Sequence, residues 1–93
     1  MNIYLIEEYV NRLKKSDITY YAQKQGILLD NEEVDIIYNY IKKDYKTIIY
    51  GNPKDILLEI KNKVKPLTYN KIENLYIRFK DKIDLFMRNI REN

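Results

Sequence analysis

The residues able to do chemistry are few. The chain of 93 residues has no histidine and no cysteine, and its single serine is Ser16. No nucleophile–base pair of the Ser/His/Asp or Cys/His kind can be assembled from that set, and zinc loses its usual ligands. The only glycines are Gly26 and Gly51, too few for a phosphate-cradling loop or a dinucleotide fingerprint. Carboxylates remain. Glu32, Glu33 and Asp35 stand close together, but successive helical positions point in different directions and do not converge as an acid/base pair or a divalent-ion site. Negative charge at a helix N-terminus accounts for them better. The reading is of a non-enzymatic protein, with no cofactor, no metal and no evident small-molecule substrate.

Binding chemistry has more material. Formal net charge is +3, and the surplus is uneven. Up to Lys46 acids and bases nearly cancel, whereas beyond it Lys and Arg outnumber Asp and Glu. Lys61, Lys63 and Lys65 end one helical stretch, and Lys71, Asn74, Arg78 and Lys82 form a polar stripe on the next. Such residues can contact phosphates without reading sequence. The competing account is a solvent face, interleaved with Glu73, Asp81 and Asp84. The spacing Ala22-x-x-x-Gly26 is that of a helix-turn-helix, but in the usual register the apolar positions after the turn fall on Glu32 and Asp35. Lengthening the turn by two residues restores Val34 and Ile37, yet the recognition helix then opens with Asp30, Glu32, Glu33 and Asp35. A groove lined by phosphates repels that start.

The last stretch offers the other surface. Ile72, Leu75, Tyr76, Phe79, Ile83, Phe86, Met87 and Ile90 make a wide apolar stripe at helical spacing. Four short helices have little surface to cover it, so Phe86, Met87 and Ile90 are the expected anchor patch for another protein or a second copy of the chain. Against this stands the ordinary role of such a stripe, which is core. The ten tyrosines are spread along the chain and are not expected to gather at one site.

The elements that must position these residues are helical almost throughout. Ile3, Ile6, Val10 and Leu13 form a first stripe that Asn2 can cap, and Ser16 or Asp17 can cap a short second helix carrying Ile18, Tyr21 and Ala22. Gly26 falls where a left-handed residue ends that helix. Asp30 to Glu33 suits the start of a third helix, through Val34, Ile37, Tyr38 and Ile41, ending near Lys42 and Lys43. Tyr45 to Tyr50 is β-branched and aromatic, which predicts a short extended connector. Asn52-Pro53-Lys54-Asp55 reads as cap, first helical residue and acidic first turn of a fourth helix that stops before Pro66. Thr68 can cap the fifth and longest. The expected fold is all-α, a compact bundle of about five helices forming one domain over residues 1–93.

Length and composition fit a globular domain, with 45% hydrophobic residues. Glu7 and Glu8 interrupt the N-terminal stretch before a secretory apolar region forms, and no run reaches the roughly 20 apolar residues a membrane span needs. With no cysteine to pair, the cytoplasm is the expected compartment.

The stretch from Ser16 to Pro66 combines the turn from Ala22 to Leu28, the acidic helix start, an apolar connector and a helix of the ILLEI kind. In these features it resembles the YqfT-like domains of unknown function of low-GC Gram-positive bacteria, and the last helix is open to the same match. The resemblance implies a cytoplasmic bacterial protein of helical fold. It brings no assigned activity and carries over no functional residue.

Overall fold

Capping chemistry decides where the helices of this chain begin and end. A computed structural model describes the backbone over residues 3–92 and the side chains of residues 6–85 and 88. It contains α1 (Ile3–Arg12), α2 (Lys15–Lys24), α3 (Asn31–Tyr50), α4 (Lys54–Lys63) and α5 (Pro66–Glu92). The fold is all-α, with α5 the longest helix. Asn2, read as a cap, lies outside the described residues.

α2 starts earlier than a Ser16 or Asp17 cap would give, because Asp17 serves from inside the first turn. Its Oδ2 accepts the Lys14 N–H at 2.9 Å. The helix ends as Gly26 requires. Gly26 has φ 75°, its N–H reaches the Gln23 carbonyl at 2.9 Å, and the Ile27 N–H reaches that of Ala22 at 2.8 Å. This is the paired closure of a Schellman motif, which needs a left-handed residue at that position. At the start of α3, Asp30 Oδ1 accepts the Glu33 N–H at 2.8 Å while Glu33 Oε1 accepts the Asp30 N–H at 2.9 Å, a complete capping box. α4 begins one residue later than Asn52 as cap and Pro53 as first helical residue would give. Pro53 is the N-cap and brings no side-chain bond, while Asn52 Oδ1, just before it, accepts the Lys54 N–H at 3.0 Å. α5 begins at Pro66 and not at Thr68. A proline lacks only an N–H that the first helical position leaves unpaired, and the Tyr69 N–H bonds to the Lys65 carbonyl at 2.9 Å.

The extended connector expected at 45–50 is absent: Tyr45 to Tyr50 are the last turns of α3. The helix continues past Lys42 and Lys43 and bends at Asp44, whose φ/ψ of −119°/20° is non-helical. Strand propensity is a preference worth about 1 kcal/mol or less per residue. Burying one aliphatic side chain contributes about 1.5–3 kcal/mol. Beyond the bend Ile49 is only 8% exposed, so packing outweighs local preference. Lys42 does not serve the C-terminus of its own helix. Its Nζ donates to the carbonyls of Val10 and Asn11 in the last turn of α1, where the Val10 carbonyl also accepts the Leu13 N–H at 3.2 Å.

α3 is the hub. It packs against α1, α2 and α5, and α4 packs against α5. The buried core draws on every helix: Val10, Ile18, Ala22, Val34, Ile49, Ile60, Ile72 and Leu75. Ala22 is fully buried, which lets α2 approach its neighbours closely. α5 contributes nothing fully buried beyond Leu75 among the described side chains. With 27 residues it is about 40 Å long at 1.5 Å per residue, close to the molecule's longest dimension of 42 Å. The Cα radius of gyration, 13.3 Å, exceeds the roughly 12 Å expected of a compact chain this size, as one over-long helix would produce. Among the described residues no helix is long and apolar enough to cross a membrane.

Candidate binding site

Glu33, one of the acids first weighed as chemistry, is a structural group. It is 4% exposed, and its Oε1 accepts from the Asp30 N–H and, at 3.1 Å, from Lys71 Nζ. The Thr68 hydroxyl also bonds to it. Burial alone pushes its pKa up. The hydrogen bonds from Asp30, Thr68 and Lys71, with the Lys71 charge, outweigh that and hold it below the ordinary value. The group locks the start of α5 onto the start of α3. Glu32 and Asp35 do not join it: both are exposed, and Asp35 pairs instead with Lys15 at 2.9 Å. Among the described residues no cluster of three or more acidic side chains could hold a metal.

The six basic residues singled out for phosphate contact divide among different neighbours. Lys71 faces Glu33. Lys63 Nζ bonds to Glu59 at 2.8 Å and to the Tyr40 hydroxyl of α3 at 3.4 Å; the Glu59 bond, then Tyr40, raise its pKa. Arg78 Nη1 donates to Gln25 Oε1, at the end of α2, at 3.3 Å. Lys82 stands over the Tyr21 ring of α2, 5.6 Å from its centroid, and Lys61 over that of Tyr69 at 5.7 Å. Lys65 is exposed at the α4–α5 junction. Much of the C-terminal basic surplus thus holds α5 against α2 and α3.

The anchor patch, Phe86, Met87 and Ile90, lies outside the described side chains, although the backbone there is helical. On the described part of the same half of α5, Phe79 and Ile83 are half-buried while Ile77 and Leu85 are 48% and 54% exposed. Phe79 meets Tyr21 edge to face, with ring centroids 6.5 Å apart.

Sequence reasoning did not foresee the groove where α1 and α2 flank α5. Tyr9, Leu13, Tyr20 and Tyr21 line it with Arg12, Lys24 and Lys82, and Glu8 and Asp17 complete the wall. The cleft measures about 550 Å³. Three of the ten tyrosines share this groove, Tyr9 from α1 with the neighbours Tyr20 and Tyr21 from α2. Tyr9 and Tyr20 are 65% and 59% exposed. The Tyr21 hydroxyl is buried and lacks a partner among the described residues. Burial raises its pKa, and the Arg78 charge partly opposes that. The one sequence signal was the spacing of Tyr20 and Lys24 on one helix face, four residues apart. The chain matches no known protein family, no curated protein and no solved structure.

Proposed function

We propose that this chain is a non-enzymatic protein-binding module whose interface is the outer half of α5. One observation carries the reading: α5 outruns its cover. On its apolar stripe Ile72 and Leu75 are buried, whereas Tyr76, Phe79 and Ile83 further along are only half-buried. In sequence the apolar stripe nevertheless continues through Phe86, Met87 and Ile90. Apolar surface of this kind on an exposed helix favours association with a second apolar surface. The partner is another protein or a second copy of the chain. The resemblance to YqfT-like domains assigns no activity and adds no residue to this reading.

The test is affinity capture of the tagged chain from a cell lysate, in nuclease-treated and untreated halves, with sedimentation velocity on the pure protein. A protein partner or a dimer that survives nuclease and is lost with Phe86→Glu, while the variant melts like the parent, supports the module. Collapse of the melt in Phe86→Glu makes Phe86 core and defeats the reading. Bound material that vanishes with nuclease instead favours nucleic-acid binding through Lys61, Lys65 and their neighbours.

A further inference from the structure

The charges on the wall of the α1–α2–α5 groove are not equally committed. Arg12 Nη2 bonds to Glu8 at 2.6 Å, and Asp17 accepts the Lys14 N–H. Lys24 and Lys82 have no carboxylate partner among the described residues; their ammonium groups stand 4.8 Å and 5.6 Å from the ring centroids of Tyr20 and Tyr21. A cation over an exposed ring is worth about 0.5–1 kcal/mol, less than a charge-assisted hydrogen bond to an incoming carboxylate. The rest of the lining offers Tyr9 and Tyr20 as exposed aromatic faces beside Leu13.

We propose that this groove docks a short acidic segment of a partner protein, with a carboxylate set against Lys24 and Lys82 and a neighbouring apolar side chain against Tyr9, Leu13 and Tyr20. The proposal rests on reading the chain as a protein-binding module and gives that module a second contact. The mixed sign of the wall selects a peptide over a nucleic acid. A row of phosphates crossing the groove would pass Glu8 and Asp17, and each passage loses the electrostatic gain made at a lysine. A peptide can put carboxylates only where the lysines are and present neutral or basic groups to the acids. Tyrosine-lined surfaces suit such a ligand, because the ring gives contact area at little entropic cost and the hydroxyl a polar handle.

The experiment uses the full chain, immobilised, to select from a random displayed library of peptides about a dozen residues long. The best binder is then made with a fluorescein label and titrated by anisotropy. Enriched sequences carrying Asp or Glu next to an aromatic or aliphatic residue are expected. Affinity should fall at least ~10-fold in Lys24→Glu with Lys82→Glu, about the effect of one lost charge-assisted bond. It should fall less in the paired Lys→Gln variant, which guards against a folding defect from charge reversal, and in Tyr20→Ala. Phe86→Glu should leave it within about twofold. Enriched peptides without acids, or unchanged affinity in both lysine pairs, overturn the groove assignment. So does tighter binding of a labelled single-stranded oligonucleotide that the same pairs abolish. Peptide binding that follows Phe86 and ignores the lysines removes the groove and leaves the α5 module standing. Binding that follows the lysines, with no partner sensitive to Phe86, does the reverse.

Discussion

Replacing Lys71 with methionine should destabilise the protein by about 2 kcal/mol, and the figure follows from what Glu33 keeps. Removing one partner of a fully buried ion pair costs about 3–5 kcal/mol, because an unpaired charge stays behind. Here the loss is partial. Glu33 is 4% exposed, yet its carboxylate retains the Asp30 N–H and the Thr68 hydroxyl. The Lys71 side chain, 29% exposed, already shares its charge with water. A domain of 93 residues has a total stability of about 5–14 kcal/mol, so the change is a large share and should lower Tm by about 8–16 °C. The effect also has a pH signature. The folded pKa of Glu33 is depressed, so the stability it contributes is present above the ordinary value of 4.5 and is lost as pH falls through the depressed one. The cost of Lys71→Met must therefore shrink over that interval, towards the small packing difference between the two side chains. Urea titrations followed by far-UV circular dichroism, for parent and variant at neutral pH and again well below 4.5, supply both numbers. A cost under about 0.5 kcal/mol at neutral pH, within the range of an ordinary surface substitution, would refute the lock. An equal cost at both pH values would refute the electrostatic account of it.

Three smaller perturbations test the rest of the frame. Gly26→Ala should cost about 1 kcal/mol through conformation alone, since the residue has φ 75° and a Cβ would meet nothing within 4 Å; an unchanged denaturation midpoint would remove the Schellman closure. Thr47→Ala, on an exposed face of α3, should stabilise by up to about 0.6 kcal/mol because alanine is the better helix former. A loss of stability there would mean that Tyr45 to Tyr50 is extended. Lys42→Met withdraws the donor from the Val10 and Asn11 carbonyls and should cost about 1–2 kcal/mol; hydrogen exchange should locate the loosening in α1, and loosening confined to α3 would contradict the capping role.

Most of the fold was legible because its signals are local. Helical periodicity marked all five helices, Asp30 and Glu33 carry their capping box three residues apart, and Gly26 and Asn52 punctuate the chain where their chemistry requires. Two of the misplaced features have a common cause. Tyr45 to Tyr50 looked extended because β-branched residues prefer strands, and what overrides that preference is the burial of Ile49 in the core. Lys71 looked like a solvent-facing cation because periodicity fixes a helix face but not which neighbour covers it. Glu33, its partner, gave a readable hint, since a capping-box glutamate whose neighbour is apolar Val34 sits at the edge of the core. The groove was the least readable feature, because it needs the α1–α2 turn and the path of α5 together before Tyr9, Tyr20 and Lys82 share a wall.

The placement of Lys71 also decides how a nucleic-acid role can be tested. Charge reversal at Lys71 would set one carboxylate against another that is almost fully buried, and any loss of oligonucleotide binding would then report unfolding. Arg78 is little better, being bonded to Gln25 across the α2–α5 contact. Lys61 and Lys65 are exposed, four residues apart at the α4–α5 junction, and Lys61 makes only a ring contact with Tyr69. Reversing both to glutamate should change stability by no more than about 1 kcal/mol in total, as two surface sites do. If the C-terminal half contacts phosphates, that variant should lose oligonucleotide affinity, and the slope of affinity against salt should flatten by nearly one per lost contact. Retained affinity and slope in a variant that melts like the parent would exclude the α4–α5 junction as a phosphate surface, leaving its lysines the role of a solvated face.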